Sequence, residues 1–190
     1  MRDVIRSSFT ESIALRERTL EELAGAIEEA AVGSITRVRN GGTVFVCGNG
    51  GSAADAQHIA GELAGRFRRE RDPLPSICLS ANCSTLTAIS NDYSFEEVFS
   101  RPLAGLARPG DVLWAMSTSG ASPNVLLALQ VAKQRDLYRV GFSGAGGGPM
   151  ASLCDVCLAV PSRDTARIQE VHVTIAHILC ELIEAQCCGG

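Results

Sequence analysis

His58 and Glu62 stand four residues apart, a spacing that puts an imidazole and a carboxylate on one face of a helix. A second pair lies near the end of the chain. Gln169 and His177 are separated by about 80° around a helix axis and about 12 Å along it, so both can look toward one groove. His172 lies about 60° from Gln169 on the other side, points away from His177 and reads as structural. Brought together, His58, Glu62, Gln169 and His177 offer two imidazoles, a carboxylate and an amide oxygen. That set can bind a divalent transition metal such as zinc. It can equally act without metal as general acid and base. Isomerising a sugar needs a proton moved between neighbouring carbons and a hydroxyl proton shuttled, and one carboxylate and one histidine suffice for both.

Two loops complement these groups. Gly48-Asn49-Gly50-Gly51-Ser52-Ala53 follows an apolar run and opens a helix, so its backbone N–H groups and the helix dipole can meet an anion. The pattern also matches the dinucleotide fingerprint G-x-G-x-x-A. A dinucleotide site wants an acidic residue at the end of the next strand, and Cys78-Leu79-Ser80-Ala81-Asn82 supplies none. Ser117-Thr118-Ser119-Gly120-Ala121-Ser122 brings four hydroxyls and a flexible glycine to the start of a helix at Pro123. One hydroxyl is enough to cap a helix, so four favour an anion such as phosphate. Asn91-Asp92 either shapes a turn and caps the following helix or binds sugar hydroxyls; spacing leaves both open. Arg66, Arg68, Arg69 and Arg71 read as a solvated basic run at a helix end, complementing its dipole.

The elements that must position these residues alternate. Strands are expected over 43–47, 76–79, 112–116, 139–142 and 156–160, with helices over 53–68, 84–90, 95–107, 123–135 and 165–186 and a short turn at 149–153. Several strands are almost wholly apolar, as when both faces of a sheet are covered. The expected architecture is α/β, a doubly wound five-stranded parallel sheet flanked by helices. Ligands then sit beyond the carboxyl ends of the strands, where the loops 48–52, 80–92 and 117–124 gather. Two N-terminal helices are expected over 4–16 and 20–38, the second with an apolar stripe of Leu20, Leu23, Ala24, Ile27, Ala31 and Ile35. That 1–42 segment would pack on the sheet or in a subunit contact of one 190-residue domain.

Composition bounds the function. Hydrophobic residues make up 46% and charged residues 20%, which suits a packed domain rather than a disordered chain. A net charge of −4 argues against a general nucleic-acid binder. No apolar run reaches the length of a membrane span, and the first residues lack the apolar centre of an export signal. The eight cysteines lie mostly in apolar patterns. Cys154 and Cys157 are spaced C-x-x-C, but in a strand they face opposite sides, and no second pair completes a metal site. The cysteines read as structural and the chain as cytosolic.

Taken as longer strings, CGNGGSAADAQHIAGEL, AISNDYSFEEVFSRPL, GDVLWAMSTSGASPNV and TARIQEVHVTIAHILCELIE resemble the sugar isomerase (SIS) fold and, within it, the phosphoheptose isomerase family. The resemblance implies a cytoplasmic homotetramer with sites between subunits, converting sedoheptulose 7-phosphate to D-glycero-D-manno-heptose 7-phosphate through an enediol. That product leads into activated heptoses for cell-surface glycans such as lipopolysaccharide. The resemblance assigns acid–base roles to Glu62 and His177. Substrate contacts fall to Asn49, Gly50, Gly51, Ser52, Glu62, Asn91, Asp92, Ser117, Thr118, Ser119, Ser122 and Gln169. Zinc ligands, in members that use the metal, would be His58, Glu62, Gln169 and His177. The glycine-rich run SGAGGGPM departs from the family's pattern without involving these residues, and the tail CCGG is idiosyncratic. A non-catalytic SIS binding protein of the replication-initiator-associating type is the alternative from another class, and a hexose phosphate isomerase or sensor is a second. His177 favours the enzyme over the binding protein.

Overall fold

The structure, a computed structural model, describes residues 1–188; Gly189 and Gly190 of the tail lie outside the described residues. Five strands form one parallel sheet in the order β2-β1-β3-β4-β5, comprising β1 (Val44–Gly48), β2 (Ser76–Cys78), β3 (Val112–Met116), β4 (Tyr138–Ser143) and β5 (Val156–Ala159). The central strands β1 and β3 are buried along their whole length, Val44 pairing with Val112 and Gly48 with Met116. Alternate side chains feed opposite faces. Val44, Val46, Trp114, Met116 and Phe142 face α1 (Arg2–Arg39), α2 (Gly51–Ala64) and α6 (Thr165–Cys187). Phe45, Cys47, Leu113 and Ala115 face α4 (Ser100–Leu106) and α5 (Pro123–Gln134). The doubly wound α/β architecture is therefore as the alternation of apolar runs foretold. Among the described residues no helix is long and apolar enough to cross a membrane.

Three elements differ from expectation by more than two residues, each for a local reason. The N-terminal region is one 38-residue helix, not two. Residues 17–19 hold no glycine or proline, and the Thr19 hydroxyl donates to the Leu15 carbonyl one turn back, so the helix runs through. Its buried line is Leu15, Thr19, Ile27, Ala30, Ala31, Ser34 and Val38, whereas Leu20 is 68% exposed. Small polar residues on that line allow close approach, and Ser34 accepts the Trp114 indole N–H at 3.2 Å. The helix expected over 95–107 is a 3-10 turn (Phe95–Glu97) followed by α4. Pro102 has no N–H to give and is tolerated only in a first helical turn, which places the start of α4 near Ser100. Finally, α2 ends at Ala64, four residues early. The N–H groups of Phe67, Arg68 and Arg69 go to the Glu184 carboxylate instead of to carbonyls of a continuing helix.

The same structure explains α3 (Cys83–Asp92), which starts where Asn82 accepts the Thr85 N–H at 3.0 Å, and α6, which starts where Asp164 accepts from Ala166 and Arg167. Two glycines of α1 have opposite surroundings. A Cβ on Gly33 would run into the Tyr138 ring, whose hydroxyl donates to the Glu29 carbonyl, while a Cβ on Gly25 meets nothing. Gly33→Ala is therefore expected to cost about 1–3 kcal/mol by overpacking. Gly25→Ala should add about 0.5–1 kcal/mol by helix propensity. Thermal unfolding checks both signs, at about 2–4 °C per kcal/mol for a chain of this size.

Candidate active site

The strand order β2-β1-β3 makes the chain leave β1 toward one side and β3 toward the other, opening a crevice between their carboxyl ends. Two loops line it. Gly50 sits at φ 54° and ψ −121°, a conformation open to glycine, and Gly48 packs so closely on Ser52 that a Cβ would stand 2.7 Å from the serine Cβ. Asn49 and Asn124 exchange amide hydrogen bonds across the crevice, at 2.8 and 2.9 Å. Sequence reading passed over Asn124, which is buried at the start of α5. In the second loop the Ser117 hydroxyl lies 2.9 Å from that of Ser122 and 3.3 Å from that of Ser119, and Ser119 also accepts the Ala121 N–H. Three serine hydroxyls thus converge above the end of β3, with Thr118 between them.

The glycine run after β4 holds none of the expected site residues, but its backbone bonds to the serine loop. Gly144 N–H donates to the Thr118 carbonyl and Met150 N–H to the Gly120 carbonyl, each at 3.0 Å. Gly120, at φ +63°, is pressed against the Gly147 carbonyl, leaving no room for a Cβ. The run therefore supports the serine loop from below.

On α2 and α6 the expected meeting of distant residues occurs in part. His58 and His177 bring their Nε2 atoms to 2.8 Å, so one ring donates to the other, and His58 Nε2 lies 3.5 Å from Glu62 Oε1. Ligating atoms of these three residues fall within 4.8 Å of one another, a group able to hold a metal ion. Donors around a tetrahedral zinc stand roughly 3.3 Å apart, so the donor set and its spacing fit. Burial lowers the pKa of His177, His58 and Arg68 lower it further, and Glu62 opposes them. Gln169 is not hydrogen-bonded to this group. Its amide donates to Asp55 Oδ2 at 3.0 Å and lies over Gly51. Asp55 is the second residue that sequence reading missed, although its position three before His58 puts it on the same helix face. Burial raises its pKa, against the opposing influence of Gln169 and His58.

Asn91 and Asp92 occupy the last turn of α3, bonded to each other at 2.8 Å and exposed. Neither caps the next turn, which Ser94 precedes, so the capping alternative falls away. Arg71 also departs from expectation. It is not solvated: its side chain is 2% exposed and pairs with Glu184. The eight cysteines are free in this structure, Cys47 and Cys180 buried and Cys83 exposed.

A sheet of this order with a serine cradle at its parting belongs to a known class: residues 9–144 match the SIS domain. Over its full length the chain is 50% identical to the phosphoheptose isomerase of Rhodospirillum rubrum, covering 100% of both. The solved phosphoheptose isomerase of Neisseria gonorrhoeae superposes with a TM-score of 0.92 at 40% identity, over 97% of this chain and 98% of that one. That of Francisella tularensis gives 0.92 at 38%, over 95% and 96%. The chain belongs to the phosphoheptose isomerase family.

His172, set aside above as structural, is fully buried on α6, its Nε2 donating to the Ser143 carbonyl at 3.0 Å while Nδ1 has no partner among the described residues. Burial pushes its pKa down to about 4, against the Ser143 contact. The unfolded chain takes up a proton near pH 6.5 that the folded chain refuses, so stability is lost as pH falls from there toward 4. The loss is expected to approach about 3 kcal/mol at the acid end. Urea unfolding across that range checks it: His172→Gln should flatten the curve relative to the unaltered chain.

Proposed function

We propose that the chain is an aldose–ketose isomerase that converts D-sedoheptulose 7-phosphate to D-glycero-D-manno-heptose 7-phosphate by way of an enediol, an early step toward activated heptoses. The observation that carries this reading is the convergence of one carboxylate and two imidazoles at 2.8–3.5 Å on the site side of a phosphoheptose isomerase fold. In this reading Ser117, Thr118, Ser119 and Ser122 hold the phosphate. Asn49, Gly50, Gly51 and Ser52 face the sugar from the first loop, and Asn91, Asp92 and Gln169 contact its hydroxyls. Glu62 takes the proton from the carbon beside the carbonyl and returns it to the neighbouring carbon. His177 moves the hydroxyl proton on the opposite side, and burial, which lowers its pKa, favours the form that can accept.

His58, Glu62 and His177 suit zinc, with Gln169 as the proposed fourth donor. Zinc bound there would supply Lewis-acid polarisation of the sugar oxygens. The chain is further proposed to act as a homotetramer in the cytoplasm. Val4, Ile5, Phe9 and Ile13 are large apolar residues left exposed on α1, which supports a subunit contact. A groove of about 480 Å³ lined by Arg16, Gln169, Glu170 and Val173 leaves the site open on that flank, supporting a position between subunits.

Incubation with sedoheptulose 7-phosphate, with and without chelator, followed by NMR, is expected to yield the aldose. No product under either condition would turn the assignment toward a binding protein. Glu62→Gln and His177→Ala should each lower kcat by about 10²-fold or more with the assembly intact. Light scattering should report four times the 20.0 kDa chain mass; a monomer would overturn the tetramer.

A further inference from the structure

The end of α2 poses a problem that one buried ion pair solves. A helix leaves its last carbonyls without partners. Here the guanidinium of Arg71 turns back and donates to the carbonyls of Glu62 at 2.9 Å, Leu63 at 2.9 Å, Gly65 at 3.0 Å and Asp72 at 3.0 Å. Its Nε donates to Glu184 Oε1 at 3.0 Å. The Glu184 carboxylate also accepts the backbone N–H of Phe67 at 3.0 Å, Arg68 at 2.8 Å and Arg69 at 3.0 Å. Burial would raise the Glu184 pKa, but those three N–H groups and Arg71 hold it below the usual carboxylate range. The pair is therefore ionised and saturated with donors.

Stability alone is a weak reason for such a pair, since apolar residues of similar volume often do as well. Its placement gives a better one. Glu184 lies seven residues after His177, two turns of α6 and about 10 Å along the same face. Binding residues 67–69 at that point lays the chain along α6 so that Phe67 reaches His177. The two rings stack with centroids 5.4 Å apart at 23°. Arg71, meanwhile, ties the carbonyl of Glu62 itself into the same knot. The exposed Arg68–Glu181 pair nearby adds little.

We propose that the Glu184–Arg71 ion pair and Phe67 act as positioning residues for the His58–Glu62–His177 group, the ion pair folding residues 65–71 and Phe67 fixing the plane of the His177 ring. This rests on the reading of His177 as an acid–base residue. A fixed plane matters because a proton acceptor displaced by about 1 Å can lose roughly 10²-fold in rate. A lysine at 71 would keep the charge but lose the planar fork that reaches several carbonyls at once.

The test uses the whole protein, metal-free and labelled at the histidine Cε1 carbon, so that three histidines give three resonances. Stacking under Phe67 should move the His177 proton upfield. In Phe67→Leu and Glu184→Gln that signal should move downfield while that of His172 holds, and Phe67→Tyr should restore it. With sedoheptulose 7-phosphate, Phe67→Leu, Glu184→Gln and Arg71→Lys should lose about tenfold or more in kcat. KM should stay within about threefold, because the serine loop is untouched. If Glu184→Gln does not fold, the Leu and Tyr variants at Phe67 decide. An unmoved His177 signal in Phe67→Leu, or a moved signal with unaltered kcat, overturns the proposal. The resonances are read without substrate, so an inactive parent protein would overturn the functional reading and leave the spectra to decide this one.

Discussion

The parting of β1 and β3 is the constraint on which the rest of the molecule depends. Parallel strands buried on both faces must be joined by crossovers, and in the order β2-β1-β3-β4-β5 the two central crossovers leave in opposite directions. Their loops therefore separate, and polar backbone is left facing the gap. The reciprocal Asn49–Asn124 amide pair closes the floor of that gap. Above it the Gly48–Ser52 turn and the serine loop face each other, and neither would be held apart at a fixed distance without the other.

The chemistry enters from outside that crevice. α2 descends from the first loop with His58 and Glu62, and α6 arrives from the far end of the chain with His177. The imidazole pair at 2.8 Å shows how closely the two helices are set. One helix is short because its carbonyls are taken by an arginine. The other is long enough to carry both His177 and, two turns on, the carboxylate that orders the partner helix's exit.

What could be read in advance follows from the range of each interaction. β3 was expected at 112–116 and spans those residues, because five consecutive apolar residues between turns have few other fates. His58 and Glu62 were legible from a four-residue spacing, and their meeting with His177 from the periodicity of a second helix. The early end of α2 was not legible, since Glu184, more than a hundred residues away, terminates it. The same holds for Gln169, whose amide finds Asp55, and for the glycine run, whose role depends on β4 lying beside β3. Arg71 looked like one charge in a basic run; only the fold distinguishes it from the exposed Arg66 and Arg69.

The length of α1 has a consequence of its own. Thirty-eight residues make a rod about 57 Å long, while a chain of this size folds into a body about 40 Å across. Ser8 already reaches α6, its carbonyl accepting from Arg167 at 3.3 Å, while Val4 and Ile5 before it are each more than half exposed. With no packed face of its own, that stretch is held by propagation from the turns that follow it. In the tetramer proposed above a second copy would cover this stretch, and the helicity of the residues before Ser8 would then rise with protein concentration.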